Sequence, residues 1–89
     1  HTPKNLACAL SVEAAELLEH FQWLTAEQSR ELPPERRDAV ALEIADVLLY
    51  LVRLADVLGV DLRDAAQRKL AVNAAKYPVE KARGSARKY

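Results

Sequence analysis

Apolar positions recur at helical spacing along most of the chain, and proline, glycine and small polar residues cut that pattern into separate stretches. "HTPKNL" opens the first: the Thr2 hydroxyl can cap a helix and Pro3 suits its first turn, where a missing N–H costs nothing. The pattern predicts a helix from there to about Trp23. "LTAEQSRELPPERR" reads as a connector holding a short helix, with Thr25 as a second cap and Pro33 and Pro34 closing off any helix that arrives from the N-terminal side. From Glu35 to Leu58 the spacing is again helical, and Gly59 follows, the residue best suited to the left-handed position past a helix end. "DLRDAAQRKLAVNAAKY" begins with Asp61 as cap and Asp64 in the first turn, and its helix must stop before Pro78.

Two of these stripes are interrupted by acids. At about 100° per residue, Leu6, Leu10, Glu13 and Leu17 fall within roughly 60° of one another, so Glu13 occupies a core position. Glu16 lies about 60° to one side and a turn along, close enough for both carboxylates to converge on one object, whereas Glu19 falls on a different face and is expected in solvent. The long helix repeats the arrangement: Val47, Tyr50, Leu54 and Val57 all lie within about 40° of Glu43, and Asp46 flanks Glu43 as Glu16 flanks Glu13. "EAAE" and "EIAD" therefore both face inward. Either pair alone has a plain explanation, an acid that snorkels or meets an arginine. Two pairs on helices that pack together would repel strongly in a low-dielectric space unless protonated or neutralised by a cation.

Composition supports an all-α fold and narrows the chemistry. Eighty-nine residues with 51% hydrophobic side chains make one small domain, and two glycines among many Ala, Leu, Glu and Arg favour helix throughout. Three main helices of this length leave apolar surface to cover, so a four-helix-type bundle completed by further copies is expected, a homo-oligomer. Thirteen basic and thirteen acidic residues cancel, which removes the global field that would draw the chain to nucleic acid or to an anionic membrane. The balance is uneven: Lys81, Arg83, Arg87 and Lys88 follow Pro78 against the single acid Glu80, leaving a basic, mobile tail at 79–89. The lone Cys8 has no internal disulfide partner, and no apolar run suits a signal peptide or a membrane span, so the expected compartment is the cytoplasm.

The four acids, Glu13, Glu16, Glu43 and Asp46, are hard oxygen donors with no histidine at the third position, which argues against a di-iron bundle and for Mg²⁺, with Mn²⁺ as a substitute. Magnesium commonly bridges to substrate phosphates, so a nucleotide is the expected ligand. Trp23 and Tyr50 are candidates to stack on a base, though a plain core aromatic is the stronger reading of each ring taken alone. His1 could hydrogen-bond a base or ribose, although a residue at this position is more often just solvent-exposed. "NAAK" puts Asn73 and Lys76 on one face of the last helix, where they could hold phosphate oxygens; a solvated helix-end lysine is an equal reading of Lys76.

"HTPKNLACALSVEAAELLEHFQW", "EIADVLLYLVRLADVLGVDL" and "KLAVNAAKYP" together resemble the all-α nucleoside triphosphate pyrophosphohydrolases, the MazG-like superfamily, and within it the branch of the dCTP pyrophosphatases. The resemblance runs from His1 to Pro78, which it implies is one catalytic domain. It implies Glu13, Glu16, Glu43 and Asp46 as Mg²⁺ ligands, His1, Trp23 and Tyr50 as nucleotide contacts, and the Asn73/Lys76 segment near the phosphates. It also implies hydrolysis of dCTP, a modified dCTP or another nucleoside triphosphate between the α and β phosphates, with Glu13 or Glu16 accepting the proton of the attacking water. Clean-up of the nucleotide pool is the implied role, and a tetramer in preference to a dimer the implied assembly. Family members often carry a glycine where Ala14 and Ala15 stand here, and a segment before the PKNL helix that helps close the base pocket, so the resemblance does not fix the base. The rival expectation is a non-catalytic helical oligomerisation module, in which the acids pair with Arg53 or Arg63 and the aromatics are core.

Overall fold

The computed structural model describes residues 1–76, and every regular element among them is a helix. In chain order these are α1 (Pro3–Glu19), α2 (Ala26–Arg30), α3 (Pro34–Leu58) and α4 (Leu62–Lys76). Residues 1–59 form one compact unit, which holds α1, α2 and α3; α4 belongs to a second unit that begins at Val60. The expected basic tail lies outside the described residues.

Local chemistry sets the boundaries. Thr2 is extended and its hydroxyl accepts from the Asn5 amide at 3.1 Å, a cap worth about 1 kcal/mol. α1 ends at Glu19, four residues before the predicted Trp23. In a continuing helix the His20 carbonyl would accept from the Leu24 amide; instead it accepts from Arg36 Nη1 at 2.8 Å, and Leu24 donates to Phe21 at 2.9 Å. His20 and Phe21 likewise bond back three residues, to Leu17 and Leu18, so the chain tightens into turns. Trp23 leaves the helix as a result and stands 86% exposed.

α2 has only five residues and rests on a capping box: Gln28 donates its amide to the Thr25 hydroxyl at 3.1 Å, and Thr25 donates its own to Gln28 Oε1 at 2.9 Å. Pro33 caps α3 and Pro34 occupies its first turn. Twenty-five residues later Gly59 takes φ 69°, the left-handed position that ends the helix, and its amide reaches the Ala55 and Asp56 carbonyls. In the second unit Asp61 Oδ1 accepts from the Asp64 amide at 2.9 Å, the cap expected for α4.

α1 and α3 pack against each other and run antiparallel, since Arg36 reaches back to His20 near one end while Tyr50 and Arg53 share a cavity with His1 and Leu6 near the other. The seam between them follows the sequence stripes. Leu6, Val40 and Ala55 are buried, and Leu10, Leu17, Val47, Tyr50 and Leu54 are half-buried. Val57, predicted on the same stripe, is instead exposed at 46%. Many large apolar side chains face outward, Leu42 at 71% and Leu18 and Leu49 at 64% among them.

Candidate metal centre

The seam brings three of the four predicted acids together. Glu13 and Glu16 project from α1 and Glu43 from α3, all half-buried, and one carboxylate oxygen from each lies within 4.8 Å of the others. Such proximity raises the cost of ionisation. The Glu13 carboxyl is pushed above its ordinary range, first by a hydrogen bond shared with Glu43, then by partial desolvation and by the charges of Glu43 and Asp46; a hydrogen bond with Glu16 pulls the other way. The Glu16 carboxyl is also raised, first by its hydrogen bond with Glu13 and the Glu13 charge, then by desolvation and by Glu19 and Asp46.

Asp46 is exposed and stands outside the cluster, although its charge is felt at Glu13 and Glu16. One turn beyond Glu43, it lines a cavity of about 300 Å³ together with His1, Leu6, Leu49, Tyr50 and Arg53. His1 and Tyr50 are thus brought together near the acids. Trp23 is not, because it lies beyond the opposite end of α1. Asn73 is half-buried and Lys76 exposed on α4, in the second unit.

A larger cleft of about 540 Å³ opens on the other side of the cluster, lined by Glu16 and Glu43, by Glu19, Glu35 and Ala39, and by His20 and Arg36. Glu19 was expected in solvent; it is exposed and borders this cleft. Sequence reasoning missed His20 and Arg36. The signal was present: Arg36 precedes Glu43 by two helical turns, about 20° from it around α3, and His20 follows Glu16 by four residues, just past the end of α1.

The residues fit a divalent cation. Glu43 Oε2 is buried and no hydrogen-bond donor reaches it, a costly state for a carboxylate that an ion would relieve. Three carboxylates at this spacing, with no nitrogen or sulfur donor in the group, suit a hard cation that takes oxygen ligands.

The comparisons with known proteins agree with the all-helical fold. The MazG-like family profile matches residues 8–89, and the chain belongs to that family, as the sequence motifs implied. It is 46% identical to dCTP pyrophosphatase 1 of Mus musculus and 44% identical to that of Homo sapiens, in each case over the whole of this chain and 54% of the relative. The chain therefore spans about half the length of the curated relatives it matches. Among solved structures, a pyrophosphatase from Archaeoglobus fulgidus DSM 4304 is similar with a TM-score of 0.83 and 48% identity, covering 88% of this chain and 73% of that one. No helix among the described residues is long and apolar enough to cross a membrane.

Proposed function

We propose that this chain carries the centre of a Mg²⁺-dependent nucleoside triphosphate pyrophosphohydrolase, which cleaves dCTP or a modified dCTP between the α and β phosphates to a monophosphate and pyrophosphate. One observation carries the reading: three glutamates converge on the α1–α3 seam with the buried Glu43 Oε2 left without a donor. The relatives named dCTP pyrophosphatase 1 and the Archaeoglobus fulgidus pyrophosphatase supply the substrate class.

Glu13, Glu16 and Glu43 would hold the ion, and Asp46, one turn on, would join them when a triphosphate is present. Mg²⁺, when bound, offsets charge on phosphoryl oxygens and makes water more acidic, with Mn²⁺ able to replace it. Glu13 or Glu16 takes the proton of the attacking water. His1 and Tyr50 contact the nucleoside in the cavity beside Asp46, and the NAAK motif alone gives Asn73 and Lys76 a phosphate-binding role.

Trp23 completes this site only from a second copy. The 17 residues of α1 span about 25 Å at 1.5 Å per residue, with Tyr50 near one end and Trp23 past the other, too far for one base to touch both in one protomer. The outward-facing Leu18, Leu42 and Leu49 supply apolar surface for such an assembly, a homotetramer in preference to a dimer. Clean-up of the cytoplasmic nucleotide pool, where Cys8 would stay reduced, is the corresponding role. The rival oligomerisation module required arginine partners for the acids, and among the described residues no arginine pairs with Glu13, Glu16 or Glu43.

The test is a panel of nucleoside and deoxynucleoside triphosphates with Mg²⁺, following pyrophosphate against orthophosphate. Pyrophosphate release with dCTP among the preferred substrates is the expected result. Orthophosphate release, or none from any nucleotide, would remove the assignment.

A further inference from the structure

The cleft on the His20 side of the cluster holds four carboxylates, Glu16, Glu19, Glu35 and Glu43, and one guanidinium, that of Arg36. Arg36 is exposed but tethered. Its Nη1 is fixed on the His20 carbonyl at 2.8 Å, which holds the fork at the cleft wall and commits only one of its five N–H donors. No carboxylate of the cleft forms an ion pair with it at salt-bridge distance. A cation held in place beside a candidate metal cluster, with donors to spare, matches an anion that the same metal would bind.

The two cavities that flank the cluster differ in kind. The one beside Asp46 includes Leu6, Leu49 and the Tyr50 ring, surfaces that suit a base and a sugar. The one beside Arg36 has Ala39 as its sole apolar residue. Helix α3 links them, with Tyr50, Glu43 and Arg36 at successive intervals of seven residues, hence on one face and two turns apart.

We propose that Arg36 binds the outer phosphates of the substrate, so that the triphosphate runs along α3 from a nucleoside at Tyr50, past the carboxylates, to a leaving pyrophosphate at Arg36. This rests on the pyrophosphohydrolase reading above. The acids of the cleft exclude a bare anion, and the polyphosphate enters once divalent cations offset Glu16 and Glu43. Arg36 then supplies the charge-assisted contact that orients the departing group.

Binding of inorganic pyrophosphate, measured by calorimetry with Mg²⁺ on the full chain, tests the proposal apart from turnover. Arg36→Ala is expected to weaken pyrophosphate binding roughly 10- to 100-fold, the loss of a hydrogen bond to a charged group, while affinity for dCMP is unchanged. Arg36→Lys, which keeps the charge and loses the fork, falls between; it carries the comparison with Arg36→Gln if the alanine variant does not fold. Unchanged pyrophosphate affinity would overturn the assignment. So would an equal loss for dCMP, which marks a purely structural role, or a pyrophosphate loss seen in Arg53→Ala and not in Arg36→Ala, which marks the reverse polarity. The wild-type nucleotide panel stands separately: absent pyrophosphate release there with normal pyrophosphate binding by Arg36 refutes the reaction and leaves the anion site.

Discussion

Glu13 and Glu43 bring carboxylate oxygens within 4.8 Å of each other across the α1–α3 seam, and Glu43 is the largest reason the Glu13 carboxyl titrates above its ordinary range. Glu16 is raised in turn, chiefly by Glu13. The metal-free cluster therefore prefers to keep a proton that isolated glutamates would release. Because the raised value belongs to the folded state, the stabilisation it brings is complete below the ordinary carboxylate range and is lost as the pH climbs through the raised value.

That linkage predicts opposite pH trends with and without the ion. In chelator, the contribution of Glu13 and Glu16 to the melting temperature should decline as the pH rises above the ordinary carboxylate range. The rise in melting temperature on adding Mg²⁺ should grow over the same window, because the cation must displace the proton. Comparing the two melting profiles with those of Glu13→Gln isolates the effect. The variant should flatten both trends, and a Mg²⁺-induced rise that shrinks with pH would contradict the cluster's role.

Glu43→Gln and Asp46→Asn should part company. The first removes the charge that most perturbs Glu13 and replaces the orphaned oxygen, so the metal-free fold should be retained. It should also lose the Mg²⁺-induced melting shift and lower turnover by on the order of a hundredfold or more. Asp46 lies outside the three-glutamate group, so Asp46→Asn should weaken binding of Mn²⁺ alone less than Glu43→Gln does and show its main cost with the triphosphate present. Calorimetric Mn²⁺ titrations of both variants, with and without nucleotide, check the order.

The acids were legible in the sequence because a helix has one period: once Leu6, Leu10 and Leu17 define a stripe, Glu13 has nowhere else to point. The same arithmetic located Glu43 and Tyr50 on α3, and the caps at Thr2, Thr25 and Asp61 were readable from residue type alone. The end of α1 was not. Nothing within "EHFQW" stops a helix; the stop comes from Arg36, sixteen residues on, which takes the His20 carbonyl that the next turn required. A tertiary hydrogen bond overrode a local pattern, and it also carried Trp23 out of the helix and placed Arg36 at the cleft, two consequences a stripe cannot encode.

Leu6 and Leu42 should differ in how their substitution depends on concentration. Leu6, 3% exposed, is one of the buried residues of the α1–α3 seam, and Leu6→Ala should cost about 2–5 kcal/mol of stability. Leu42 is 71% exposed within the chain, where truncation alone should cost well under about 1 kcal/mol. If copies associate through the outward apolar face, the melting-temperature deficit of Leu42→Ala should be largest at high protein concentration, where the wild type is assembled, and close on dilution. Thermal melts across a dilution series, with light scattering for the assembly state, make the comparison.

Trp23 offers the sharpest test of a site shared between copies. At 86% exposure it contributes little to the fold, so Trp23→Ala should melt like the wild type, and any loss of activity should come as a raised KM for the nucleotide. Trp23 and the carboxylates then belong to different protomers of one site. Mixing Trp23→Ala with Glu43→Gln under conditions that let subunits exchange should create some sites with an intact tryptophan from one copy and an intact cluster from the other. Activity at low substrate should rise above the sum of the separate variants. Strict additivity after proven exchange would place Trp23 outside the site, leaving His1 and Tyr50, which share a cavity with Asp46 inside one chain, to hold the nucleoside alone.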